Sequence, residues 1–113
     1  MQYFGVELPG AIMTPDGKPA WHKNDFPALL ALAEEQDWVI LGGAILKADF
    51  SPAGVHWDIN PERKRNYRDF RRSAVDFGIQ AAREHLRMCT PEHLIVPELV
   101  SAMEAFVCRR AEP

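Results

Sequence analysis

The sequence predicts an α+β fold in which a small antiparallel sheet packs on one long amphipathic helix. Three stretches carry that expectation. "WVILGGAIL" is apolar on both faces, as a central strand should be; after the turn "DFSPAG" it returns as the alternating "VHWDIN", so residues 38–60 predict a hairpin. Residues 62–88 place apolar side chains at helical spacing over several turns. Residues 25–37 repeat that spacing over a shorter length. The 113 residues suit a single domain, 1–113, with enough chain to bury a core without disulfides or metal.

The elements follow in order. "PGAIMTPDGKPA", residues 9–20, is turn-rich: Pro15 presets φ and Gly17 accepts the positive φ that follows it. The N-terminal helix, 25–37, starts at Asp25 as a candidate cap, with Pro27 in its first turn and Phe26, Leu29, Leu30 and Ala33 on its stripe; Glu34, Glu35 and Asp37 are expected to be solvated. In the returning strand, Val55, Trp57 and Ile59 share one face and His56, Asp58 and Asn60 the other. The long helix, 62–88, gathers Tyr67, Phe70, Ala74, Phe77, Gly78, Ala81, His85 and Met88 on its buried side, widened by Val75, Ala82 and Leu86. Pro97 cannot sit inside a helix without a clash and a lost hydrogen bond. A C-terminal helix is therefore expected over 97–110, with a strand through Leu94–Val100 as the alternative.

Charge and composition narrow the function. Residues 1–62 hold nine acids against three lysines, and residues 63–113 hold ten basic residues against seven acids, for a net charge of −3. A general nucleic-acid binder is usually basic overall, so that class is disfavoured. No apolar run approaches the roughly 20 residues of a membrane helix, and the first residues lack a basic stretch followed by an apolar one. Cys89 and Cys108 form no CxxC, so both are expected as reduced thiols of a cytoplasmic protein.

No catalytic constellation stands out. Gly42-Gly43 is followed by more strand rather than by a helix, which speaks against a phosphate loop and for a bulge or a close backbone approach. His85, Cys89 and His93 recur every four residues, but Pro91 should end the helix before His93, leaving a core histidine and a buried thiol rather than a metal site. None of the serines or threonines lies in GxSxG. His56, Asp58 and Glu62 could form an acid/base set, yet polar groups on the outer face of an edge strand need no catalytic explanation. The run "RKRNYRDFRR", residues 63–72, mixes basic and aromatic residues; its aromatics fall on the buried side and cannot stack on bases. The expectation is a protein that is not an enzyme and takes neither cofactor nor metal.

The arrangement resembles the immunity protein 40 family of bacterial polymorphic toxin systems. The matching residues are "LLALAEEQDW", then "VILGGAIL", a strand bearing Trp57, and a helix carrying Arg72-Ser73 before "AAREHL", over about residues 28–88. Two departures stand out: the acid expected after the glycines is Ala44, and the spacing around Arg72-Ser73 is looser. The resemblance implies a non-catalytic protein that binds and neutralises a cognate toxin. Trp57, the acids Asp49 and Asp58, His56 and Arg72 are its candidate contacts, with Gly42 and Gly43 structural. The alternative is a small interaction domain that self-associates, as a homodimer, through the hairpin edge; binding of nucleic acid through 63–72 ranks below both, and no membrane partner is expected.

Overall fold

The structure, a computed structural model, describes the backbone of residues 2–3 and 5–110 and the side chains of 5–108. Strands β1 (Gln2–Tyr3) and β2 (Val6–Glu7) pair with each other alone. The main sheet has five antiparallel strands, β3 (Ile12–Met13), β4 (Pro19–His22), β5 (Trp38–Leu46), β6 (Pro52–Asp58) and β7 (Leu94–Ser101), in the order β3-β4-β7-β5-β6. The helices are α1 (Phe26–Gln36), α2 (Tyr67–Leu86) and α3 (Ala102–Arg110). The fold is α+β: α2 lies on β5 and touches both α1 and α3.

The expected hairpin is present as β5–β6, with Gly43 opposite Trp57 and Ala44 opposite His56. Short strands β3 and β4 flank the Thr14–Gly17 turn. That turn is held by Thr14, whose hydroxyl donates to Asp16 and accepts from the Lys18 N–H.

Four sequence expectations need correction. The C-terminal helix does not begin at 97: residues 94–101 form β7, paired along β5, and the helix starts at Ala102. Pro97 is tolerated because the β4 ladder reaches only Ile95, so no β4 residue is registered opposite it. The long helix starts at Tyr67, not 62, because Asn66 caps it: its side chain accepts from the Asp69 N–H and donates to the Asp69 carboxylate. Asp25 makes no side-chain cap to α1. Asp37 is not merely solvated: it ends α1 in the left-handed region at φ 57°, its carbonyl accepts from the Ala102 N–H, and its carboxylate lies 3.4 Å from Arg71.

The buried side of α2 follows the expected stripe through Phe70, Ala74, Val75, Gly78, Ala81 and Ala82 and departs from it at the margin. Phe77 and Met88 are exposed, whereas Ile79 joins Val75 and Ala82 in the core. Gly78, on the stripe as expected, marks a close approach. A Cβ there would stand 2.8 Å from the Ile40 carbonyl oxygen, so the helix backbone rests directly on β5 at this point. The smallest residue of the stripe therefore faces the strand, and its neighbour Phe77 is turned outward. Tyr67 and Phe70 pack on Phe106 at ring separations of 5.6 and 5.4 Å, joining α2 to α3.

Candidate functional site

The glycine pair has two separate tasks. The ladder between β5 and β7 shifts register between Ile40 and Gly42, which marks a bulge. A Cβ on Gly42 would lie 2.1 Å from the Trp57 carbonyl oxygen, so no side chain fits between the two strands there. Gly43 instead seats the Trp57 ring, whose Cη2 would be 2.5 Å from an added Cβ. The indole is thus gripped between Gly43 and the His85 imidazole, which stacks on it at 4.8 Å and 11°. The His85 Nδ1 lies 2.8 Å from the Ala81 carbonyl oxygen, which holds the ring in place.

Trp57 is therefore a core residue, 6% exposed, with its indole N–H unpartnered. Its ring is covered by the chain itself, and it is not a surface contact. Strand alternation places His56 and Asp58 on the opposite, open face of the sheet, both exposed. The register brings β7 residues to the same rows: Ala44 lies between His56 and Val96, and Gly42 between Asp58 and Glu98. Together with Lys18 these side chains line a shallow depression of about 470 Å³. Two carboxylates and one ammonium leave it acidic.

The other candidates lie elsewhere. Asp49 sits in the β5–β6 turn, where its carboxylate accepts from the Ser51 N–H at 3.0 Å and from the Ser51 hydroxyl; these bonds, the hydroxyl's foremost, hold its pKa below the ordinary carboxylate value. Arg72 borders a second depression, of about 790 Å³, along α2 beside the C-terminal end of α1, with Asp37, Arg71, Asp76, Phe77 and Arg83. His85, Cys89 and His93 serve three local purposes: His85 contacts Ala81 and Trp57, Cys89 is buried, and the His93 Nδ1 accepts from the Thr90 N–H at 3.1 Å. Among the described residues no three His, Cys, Asp or Glu side chains converge as metal ligands, and no helix is long and apolar enough to cross a membrane.

Sequence reasoning missed Glu98 and Lys18. Glu98 reaches the face only because β7 is a strand, and the Leu94–Val100 alternative was the signal for it. Lys18 is brought there by the β3–β4 turn. No family model matches the chain, and no curated protein or solved structure matches it.

Proposed function

We propose that this protein is a non-catalytic, immunity-type binding protein that holds a cognate bacterial toxin against the open face of its sheet. The observation that supports this most directly is that Asp58 and Glu98 share one row of that face, on either side of Gly42. Where the resembling family carries an acid after the glycines, Ala44 occupies the open face, on the strand between His56 and Val96. The acidic character of that face is supplied from both sides instead, by Asp58 and Glu98. An acidic, shallow surface attracts a basic protein partner and orients its approach.

The test is protection and co-purification with a toxin encoded beside it. Wild type should protect cells and purify with the toxin at one-to-one stoichiometry. The Asp58→Lys/Glu98→Lys double variant should lose both while keeping its helical circular dichroism and melting temperature. A folded double variant that protects as well as wild type would sink the proposal. A second reading, self-association through the hairpin, is favoured by one observation: among the described residues β6 is the terminal strand of the sheet, with β5 on one side only.

A further inference from the structure

We infer that β6 pairs with β6 of a second copy of this chain, antiparallel about a two-fold axis at Trp57, with His56 of each copy opposite Asp58 of the other. The inference rests on reading the hairpin edge as a contact surface, and it adds the occupant and the register.

Backbone direction comes first. The Ile59 N–H donates to the Leu41 carbonyl at 2.8 Å, so the Ile59 backbone faces β5. Leu41 opposite Ile59 continues the register of Gly42 with Asp58 and Gly43 with Trp57. Alternation then turns the Trp57 and Val55 backbones inward and those of His56 and Asp58 toward the open edge. The edge can be extended only within limits. Pro52 has no N–H to offer, and Gly54, at φ +80°, accompanies a register irregularity at the start of the strand. Pairing is therefore confined to the stretch around residues 55–59.

Register comes next. In an antiparallel pair, outward-facing residues must meet outward-facing residues. Three two-fold registers satisfy this near the strand centre: His56 opposite His56, Asp58 opposite Asp58, or His56 opposite Asp58. The second sets two carboxylates directly against each other, which is destabilising. The first sets imidazole against imidazole and leaves each Asp58 across from Gly54. The third sets a carboxylate against an imidazole twice, because an isologous contact repeats every pair. The strand is self-complementary in that register alone.

Apolar surface lies along the same edge. Val55 and Ile59 are half-buried against the core. A second copy would cover part of it, whereas the open face with Glu98 would continue uninterrupted across the two sheets.

The experiment uses the full chain in a Cys108→Ser background, which removes the exposed thiol. His56→Cys and Asp58→Cys chains are oxidised mildly, each alone and as a mixture. In the inferred register the two positions lie about 5.5 Å apart between Cα atoms, within disulfide range, while identical positions are offset by two residues and fall outside it. The mixture should therefore yield the cross-linked dimer and neither chain alone should. Sedimentation equilibrium of uncross-linked chains supplies the second readout. His56→Asp should weaken the dimer by at least about fivefold, and the swap His56→Asp/Asp58→His should restore it. A chain that stays monomeric at the highest concentration overturns self-association itself. A dimer that cross-links through His56→Cys alone or Asp58→Cys alone overturns the register and leaves self-association standing.

Discussion

Gly42 and Gly43 show how much two missing side chains can decide. Gly43→Val should destabilise the fold by about 2–3 kcal/mol, because the added carbons enter the space of the Trp57 ring. Gly42→Ala should cost at least as much although it adds one carbon, since a strand carbonyl yields less readily than a ring. Urea denaturation of both variants checks the order, and a Gly42→Ala protein as stable as wild type would contradict the close approach of the Trp57 carbonyl. Cys89 supplies a pH signature. Burial pushes its thiol above the ordinary value of 9.0, against the opposing pull of Lys23. The folded chain then keeps a proton that the unfolded chain releases. That contribution is present below the unfolded pKa and fades as pH rises beyond about 9. The urea midpoint of wild type should therefore fall more steeply above pH 9 than that of Cys89→Ala; parallel curves would exclude the linkage.

Among the elements, α2 and β7 mark where pattern reading succeeds and where it stops. Helical spacing was plain in the sequence, read over 62–88 where the helix spans 67–86, and so were the hairpin and α1. Its buried side was legible at Phe70, Ala74, Gly78 and Ala81, but the margin was not: spacing and hydrophobicity put Phe77 on the stripe, while the close approach of Gly78 to Ile40 brings Ile79 inward and turns Phe77 out. Ile79→Ala should accordingly cost about 2–4 kcal/mol, and Phe77→Ser less than about 0.5 kcal/mol, in thermal or urea unfolding. Equal costs would place the buried side where the spacing alone puts it. The start of α2 was legible after the fact in Asn66 and Asp69, a reciprocal cap that breaks the apparent run from 62. For β7, Pro97 pointed away from both helix interior and central strand; only the short reach of β4 makes it acceptable.

At the level of the whole molecule, the candidate surface was half legible. His56 and Asp58 follow from period-two alternation around Trp57, a local property of one strand. Glu98 joins them through the pairing of distant segments, β5 with β7, and Lys18 through the β3–β4 turn, which brings it to the same depression. If the proposed function holds, the Asp58→Lys/Glu98→Lys variant loses toxin protection as a folded protein. If the β6 contact holds, two such faces lie side by side in one continuous sheet. The sequence by itself determined the α+β class, the hairpin, the two central helical stretches and the division of β6 into two faces, because periodicity and turn chemistry act within a few residues. Only the tertiary structure decided that Trp57 is buried, that Phe77 faces outward from α2, that Pro97 lies in a strand, and that Asp58 and Glu98 share a face. Each of these depends on which distant backbone comes close, a choice settled by packing rather than by local preference.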